Sequence, residues 1–323
     1  MGNGLVAGSA PVSRKVRAYF QAVDRVGGVV GVFDPATIAM SIPPGGWVDL
    51  GECAGFTRKS GTKVEALVAG APGVTVGQVR TSLEATVSLE FESWGKLQMA
   101  LTCGSQQMNV LAVQAGAAAR GSGGVAVAAS AIAAGSTATV LQVSTGGFVV
   151  GDVVVVDVDF GGATGFVGSG VSGGYVKATA AAGLDVDYVR RVSLNVGRVV
   201  AVTATTLTLG AGLMAGVPTS AMSVAKVVGF CDREGGSFFQ EWSGLFVVDG
   251  VQGDRVCFYY PRLQSLSGTI EAREGLVGVQ VKGGGLERMR LVGSFRALPV
   301  KDANDGEMVV CFRSYLPGVL RAV

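Results

Sequence analysis

Apolar and polar residues alternate over a long stretch in the first third of the chain, "QVRTSLEATVSLEFESW" from Gln78 to Trp94. The odd positions form a mainly apolar set: Val79, Thr81, Leu83, Ala85, Val87, Leu89 and Phe91. The even positions are polar and largely acidic: Gln78, Arg80, Ser82, Glu84, Thr86, Ser88, Glu90 and Glu92. Because the side chains of a strand alternate between its two faces, this pattern predicts one long β-strand. Its apolar face would pack on the core, and its polar face would meet water.

A second stretch near the end of the chain, "RMRLVGSFRAL", alternates in the same way. Its apolar or small set comprises Met289, Leu291, Gly293, Phe295 and Ala297. The opposite set comprises Arg288, Arg290, Ser294 and Arg296. The pattern predicts a second long strand, whose polar face is basic.

Shorter elements surround the first long strand. The segments "GVFDPATIAM" and "GGWVDLGECAGFTRK" are typical of short strands. Two strand-like runs in "KVEALVAGAPGVTVGQVR" flank the turn signal Ala71-Pro72-Gly73, which predicts a hairpin leading into the long strand. In "SWGKLQMALTCGS" the apolar residues change to helical spacing. We therefore expect a short helix there, with Ser93 as its N-cap and Gly104 at its end.

Charge density divides the chain into three parts. Residues 1–110 and 227–323 carry most of the charged side chains, whereas 111–226 are rich in Ala, Gly, Val and Thr. The middle part contains the strand-like runs "TATVLQV", "GDVVVVDV", "SLNVGRVVAV" and "TTLTLG", which predict a small all-β domain. The last part returns to strands, including "GSFFQEWSGLFVVDG", "DRVCFYYPRLQ" and "EMVVCFRSYLP". We interpret 111–226 as a domain inserted between the two halves of another.

Composition narrows the function classes. A formal charge of +2 without a basic block gives no sign of a nucleic-acid-binding stripe. No segment reads as a membrane span, which needs about 20 strongly apolar residues. The chain has no histidine, so a Ser-His-Asp triad and a histidine-ligated metal site are both excluded. The five cysteines lack zinc-ligand or redox spacing and are expected to be mostly small buried residues.

Three patterns suggest chemistry, and each has a simpler structural interpretation. Gly168-x-Gly170-x-x-Gly173 matches a dinucleotide fingerprint but lies in an all-β stretch, where a glycine loop is favoured. The pairs Asp157/Asp159 and Asp185/Asp187 lack calcium-loop spacing. The carboxylates around "FCDREGGSFFQEW", which include Asp232, Glu234 and Glu241 beside Arg233, could act on a sugar but fit ion pairing at a turn. We predict no catalytic residue, no metal and no cofactor.

The two charged parts resemble the tail tube proteins of long-tailed bacteriophages and the related tubes of contractile injection machines. The resemblance rests on the order of features: a loop "GGWVDLGECAGF", the hairpin, the long strand, the short helix "KLQMALTCG" and a final strand pair. It covers about two-thirds of the chain without a single diagnostic motif. It implies a mainly β, tail-tube-type sandwich or barrel with one short helix, and places the inserted β domain on the outer wall.

The resemblance also implies a function. Six copies would form a ring, and stacked rings would form a virion tail tube that conducts double-stranded DNA without sequence specificity. The protein would be made in the host cytoplasm and would contact itself and other tail proteins. By analogy, the lumen would be lined by the polar face of the long strand: Arg80, Ser82, Glu84, Thr86, Ser88, Glu90 and Glu92. Acids and hydroxyls would keep the negatively charged DNA moving.

Arg80 and the basic strand depart from an acidic lumen. A second interpretation is that the arginines of "RMRLVGSFR" pair with glutamates of the adjacent strand, since opposite charges across strands stabilise a sheet. The hairpin and the N-terminal arm are expected to reach neighbouring copies or rings. The candidate contact residues are Lys63, Val64, Glu65, Val74, Val76, Arg288, Arg290 and Arg296.

The sequence also fits two other classes of protein. A capsid decoration or baseplate protein would share the composition but would form no ring with an open channel. A carbohydrate-active β enzyme would need two carboxylates that converge in a cleft.

Overall fold

A computed structural model describes residues 13–24, 27–35, 47–93, 95–112, 128–157, 164–166, 174–176, 195–214, 216–235, 240–251, 253–266, 270–281 and 284–316. Over these residues the protein is mainly β, with one short helix and antiparallel sheets, as the alternating patterns predict. The chain splits into two compact units. The first unit holds the described residues of Met1–Val23, Val29–Gly104 and Gln240–Val323. The second holds those of Asp24–Gly28 and Ser105–Phe239.

The elements follow one another in chain order. The first are β1 (Ser13–Ala22), β2 (Val48–Ala69), β3 (Val74–Phe91), α1 (Lys96–Cys103), β4 (Gln106–Leu111), β5 (Ala129–Ala131) and β6 (Val140–Gln142). The next are β7 (Val153–Asp157), β8 (Thr164–Phe166), β9 (Gly174–Val176), β10 (Val196–Val202), β11 (Thr206–Leu209) and β12 (Ser223–Arg233). The last are β13 (Trp242–Gly250), β14 (Arg255–Ser265), β15 (Ile270–Val281), β16 (Gly284–Ala297), β17 (Val300–Lys301), β18 (Met308–Val309) and β19 (Phe312–Leu316).

The first unit is built on one antiparallel sheet in the order β15-β16-β3-β2-β1-β13-β14-β19. A further pairing joins Leu263–Ser265 of β14 to Phe295–Ala297 of β16. Strands β16, β3, β2, β1, β13 and β14 therefore form a closed circuit of hydrogen-bonded neighbours. The two long alternating strands, β3 and β16, are adjacent in this circuit.

The enclosed side of the circuit is filled by apolar side chains at alternate positions. On β3 these are the fully buried Ala85, Val87, Leu89 and Phe91, and on β16 they are Leu291, Phe295 and Ala297. Phe20 of β1 stands between Phe246 and Phe295, with ring centroids 5.7 Å and 5.4 Å away. The predicted apolar faces of both strands are therefore confirmed for these residues. Met289, in contrast, is exposed.

The opposite side of β1, β13 and β14 carries a second apolar cluster: Tyr19, Trp47, Leu245, Val247, Cys257 and Tyr259. Residues 29–35 approach this side of the sheet, since the Trp47 indole Nε1 donates to the Val32 carbonyl at 2.9 Å and the Tyr259 hydroxyl donates to the Gly31 carbonyl. No strand is formed by residues 31–35, the described part of the predicted strand "GVFDPATIAM". These residues lie instead against the apolar cluster on this side of the sheet.

Strands β2 and β3 form the predicted hairpin, which turns at residues 70–73. The prediction of a short strand in "GGWVDLGECAGFTRK" is wrong, because that segment from Val48 onward is the first part of the 22-residue β2. Gly51 and Gly55 suggest turns that would end a short strand, because glycine is common in turns. Both glycines have positive φ angles, 88° and 58°, and their strand continues through them.

Helix α1 follows β3, so the short helix predicted from the helical spacing of apolar residues is confirmed. Its N-cap is Gly95 rather than the predicted Ser93, and Gly95 N–H is held by the Gln98 side chain at 3.0 Å. Gly104 ends the helix in the left-handed region, at φ 62°, as predicted. The helix packs against β16 where Gly293 leaves room, since a Cβ there would lie 2.6 Å from Thr102 Cγ2.

The second unit has its own antiparallel sheet, in the order β6-β11-β10-β7-β12-β4-β9-β8, with β5 added beside β12. The four predicted strand segments of the middle part correspond to β6, β7, β10 and β11. Its core contains Leu141, Val154, Leu207, Val224 and further buried aliphatic residues. The unit divides from the first at Gly104/Ser105 and Phe239/Gln240, not at the predicted 110/111 and 226/227. The predicted limits fall inside β4 and β12, which pair with each other.

Candidate assembly surface

The far half of the β2–β3 hairpin extends beyond the closed circuit, and we name residues 61–83 the hairpin extension. Its residues are exposed, except Gly77, which is half-buried. Seven large apolar residues lie 43–67% exposed there: Val64, Leu67, Val68, Val74, Val76, Val79 and Leu83. The prediction that the apolar face of β3 packs on the core is therefore wrong for Val79 and Leu83. The alternation identifies the apolar face but not whether the chain itself covers it.

Cross-strand register separates the two faces of the hairpin extension. Leu83, with register partner Thr62, continues the face that holds the core residues of β3. Shifts in register occur at Lys63/Val64 and Leu67/Val68. The first shift leaves one extra residue on β3, so strict alternation along β3 is broken there. Leu67 and Val68 follow one another on β2, so they lie on opposite faces, and both are exposed. Both faces therefore present apolar surface to solvent.

The edges of the hairpin extension are open as well. β16 pairs with β3 only over Ala85–Phe91, and β1 pairs with β2 only over Val48–Cys53. Within the described residues, no strand is hydrogen-bonded to the outer edge of β3 before Ala85 or of β2 after Cys53. Unpaired edges of this length are templates for another strand.

The structure divides the predicted lumen residues into two groups. Arg80, Ser82 and Glu84 are exposed at or beside the hairpin extension. Three residues are half-buried where β3 runs beside β16: Thr86, Ser88 and Glu90. Glu92, just beyond the strand, is exposed.

Glu90 is held by two arginines of the neighbouring strand. Its Oε1 accepts a bond from Arg288 Nη2 at 3.1 Å, and its Oε2 accepts one from Arg290 Nη2 at 2.6 Å. The hydrogen bond from Arg290 lowers the pKa of the Glu90 carboxyl group below its ordinary value; burial opposes this shift, and the charges of both arginines add to it. The cross-strand pairing of arginine with glutamate is therefore confirmed at this position.

A polar contact and a cationic row lie on the same side of the sheet. The hydroxyls of Ser88 and Ser294 are 2.8 Å apart and share a hydrogen bond. Two register pairs further along, Thr86 lies between Lys59 of β2 and Arg296 of β16. Lys59 and Arg296 are both exposed. Sequence reasoning did not single out Lys59, because its place on this face follows from the register with β3.

The predicted contact residues are mostly accessible. Lys63, Val64, Glu65, Val74 and Val76 are all exposed on the hairpin extension. On β16, Arg288 and Arg296 are exposed and Arg290 is half-buried. The N-terminal arm before Ser13 lies outside the described residues. The accessible residues thus lie on the hairpin extension and on β16.

The candidate sugar-cleaving carboxylates are engaged in separate structural contacts. Glu241 is buried in the first unit, where it binds Arg262 Nε at 2.6 Å and Nη2 at 2.9 Å and also accepts from Gln264. Asp232 accepts a hydrogen bond from Ser105 in the second unit. Glu234 is exposed. These contacts favour the structural interpretation of the cluster.

The structure describes only part of the remaining candidate motifs. Asp157 is buried at the end of β7, while Asp159, Asp185, Asp187 and the Gly168–Gly173 loop lie outside the described residues. Among the described residues, no group of three or more His, Cys, Asp or Glu is arranged to hold a metal ion. Burial raises the pKa of the Cys53 thiol to about 12 and that of Cys257 to about 11. Neither thiol is poised as a nucleophile at neutral pH.

The described part of the chain contains no helix with the length and apolar character that crossing a membrane requires. The chain matches no protein-family model, and no curated protein matches it.

Proposed function

We propose that the protein is a structural subunit that assembles through its hairpin extension into rings, and that stacked rings form a hollow virion tail tube for double-stranded DNA. The main support is the hairpin extension, which exposes apolar side chains on both faces and has no strand paired to either outer edge among the described residues. The resemblance to tail tube proteins supplies the class of assembly. Six copies per ring and a phage tail as the location follow from that resemblance.

The energetics of the hairpin extension favour a partner. An isolated two-stranded hairpin is marginally stable in water, and three or more strands with a covered face are needed for independent stability. Complete burial of a valine or leucine side chain contributes about 1.5–3 kcal/mol. Seven such side chains on one extension, each now 43–67% exposed, give a neighbouring copy a large apolar surface to cover.

The open edges favour a copy of the same chain as that partner. Strand pairing with a neighbour satisfies backbone groups along β2 and β3 and removes the aggregation hazard of a long exposed edge. Repetition of one contact around an axis closes a ring when the rotation between copies closes. Such a ring joins the extensions into a continuous wall, and this wall is the proposed channel lining.

Negative-stain microscopy of the purified full-length protein over a concentration series tests the proposal. We expect rings or hollow tubes in the wild type. The double substitution Val68→Asp/Val79→Asp places two charges on the hairpin extension, and we expect it to abolish them. Both valines are exposed in the single chain, so the variant is expected to fold with unchanged circular dichroism.

A matched control is the double substitution Val200→Asp/Val228→Asp, which charges two equally exposed strand valines of the second unit. We expect this control to assemble as the wild type does. Monodisperse wild-type monomers at every concentration, or particles without a channel, would falsify the proposal. Equal loss of assembly in both variants would show that the hairpin extension is not the contact.

A further inference from the structure

A β-bulge interrupts the hairpin extension at Thr81. The register pair before it is Lys63 with Ser82, and the next pair is Val64 with Arg80. Thr81 lies between these pairs as an extra residue of β3. Its hydroxyl donates to the Lys63 carbonyl at 3.3 Å. A bulge of this kind bends its strand and increases the local right-handed twist.

A second bulge lies at Val76, nearer the turn of the hairpin. Leu67 pairs with Gly77, and the next pair is Val68 with Thr75, so Val76 is again an extra residue of β3. Because both bulges lengthen the same strand, 11 residues of β3 (74–84) run beside nine of β2 (61–69). At about 3.4 Å per residue, the path of β3 is about 7 Å longer. The hairpin extension is therefore curved and twisted, with β3 on its longer side.

A bulge at the base of the same hairpin has a clear role within the chain. Two residues of β2, Gly55 and Phe56, lie opposite the single residue Leu89 of β3. The Phe56 ring packs on Phe246 and Phe258, with ring centroids 5.1 Å and 5.6 Å away. This bulge therefore fits β2 to the aromatic residues of its own closed circuit.

The two bulges of the hairpin extension have a different setting. Thr81 and Val76 are both exposed, and they lie beyond Ala85, where β16 stops pairing with β3. Every residue of the hairpin extension except Gly77 is exposed, so within the described residues no core lies against it for the bend to follow. The packing of the single chain thus does not account for this curvature.

Resting on the proposed function, we infer that the bulges at Thr81 and Val76 set the curvature of the wall that the extensions form, and with it the number of copies in a ring. Repetition of one contact closes a ring only when the rotation between neighbours closes. That rotation depends on how far each extension departs from a flat ladder, since flat sheets do not close into barrels. Thr81 and Val76 are positioning residues, which act through the extra length that they give to β3.

Deletion of single residues separates the bulges from the rest of the hairpin extension. Deletion of Thr81 retains both flanking register pairs and all seven exposed apolar residues of the extension. We expect this variant to form wider rings with more copies than the wild type, because its ladder is flatter. Deletion of both Thr81 and Val76 should increase the ring size further. Negative-stain microscopy of the full-length proteins measures the diameter, and mass photometry counts the copies.

The matched control is Thr81→Val, which keeps the bulge and removes only the hydroxyl group. We expect it to leave the ring diameter and the copy number unchanged. Circular dichroism checks the fold of each variant, and deletion of Val76 alone provides a second test if deletion of Thr81 prevents folding. Both deletions are expected to fold, because neither removes a buried side chain.

Rings of unchanged or smaller size in the folded deletion variants would overturn this inference and leave the proposed function. An equal change of ring size in Thr81→Val would overturn it too, because the hydroxyl group would then explain the effect. Amorphous aggregates would show that the bulges protect the open edges instead, and loss of all assembly would show that they form the contact itself. Absence of rings in the wild type would remove the proposed function and this inference together.

Discussion

Protonation of Glu90, on β3, is coupled to folding. Its folded-state pKa is lowered, first by the hydrogen bond from Arg290. An unfolded chain therefore binds a proton at this group at a higher pH than the folded chain does. The stabilisation is complete above the ordinary glutamate pKa of about 4.3, and it is lost as pH falls through the lower folded-state value.

The substitution Glu90→Gln should make the free energy of unfolding less dependent on pH on the acid side. Below about pH 4 the wild type loses the contribution of this ion pair, whereas the variant has none to lose. Urea unfolding at several pH values measures the difference between the two proteins. Glu307→Gln, at an exposed carboxylate, is the control and should follow the wild-type curve. A constant difference between wild type and Glu90→Gln at all pH values would contradict the coupling.

Single residues also mark where prediction from sequence succeeds and fails. Gly104 was predicted because only glycine readily takes the left-handed conformation that ends a helix. Ser93 was the wrong N-cap, because Gly95 takes the position with help from the Gln98 side chain. The partners of Glu90 were anticipated from charge alternation on two strands. The place of Lys59 was not, since it depends on register.

At the scale of elements, the hairpin extension behaves as an appendage of the closed circuit rather than as part of its core. Replacing residues 62–83 with Asn-Gly would join Gly61 to its register partner Glu84 by a two-residue turn. We expect the free energy of unfolding to change by less than about 0.5 kcal/mol, because no buried side chain is removed. Thermal unfolding followed by circular dichroism measures this.

The same shortened protein should remain monomeric in light scattering at concentrations where the wild type assembles. Assembly of the shortened protein into rings would show that the extension is dispensable. A large loss of stability would show instead that the extension supports the circuit. The wild type, studied in parallel, serves as the reference for both measurements.

The alternating patterns predicted β3, β16, the hairpin and the four strands of the second unit because a period of two follows directly from strand geometry. They could not predict that the apolar face of β3 changes from buried at Ala85 to exposed at Leu83. That change depends on where β16 stops pairing, which no local pattern encodes. The register shifts at Lys63/Val64 and Leu67/Val68 are likewise invisible to a pattern of strict alternation.

At the scale of the whole molecule, each compact unit has its own apolar core. Charge density predicts an inserted middle part. The second unit is longer than this part at both ends, because β4 and β12 pair with each other and not with the first sheet. Composition reports which residues are charged, while strand pairing determines which unit they join. Separate cores predict separate unfolding events.

We expect calorimetry to resolve two transitions. Leu207→Ala removes a fully buried side chain from the second unit and should destabilise one transition by about 2–5 kcal/mol. Leu89→Ala makes the same change in the first unit and should lower the other transition. A single transition that both substitutions shift equally would contradict independent cores.

The closed circuit at the base of the hairpin extension has a mechanical consequence. The hydrogen bonds of antiparallel strands run perpendicular to the strand direction. A pull along β3 from its exposed tip therefore loads the Ala85–Phe91 ladder with β16 and the facing ladder with β2 in shear, so that many bonds resist together. A force at the tip perpendicular to β3, within the plane of the sheet, would break these hydrogen bonds one after another. The base is built to withstand axial tension.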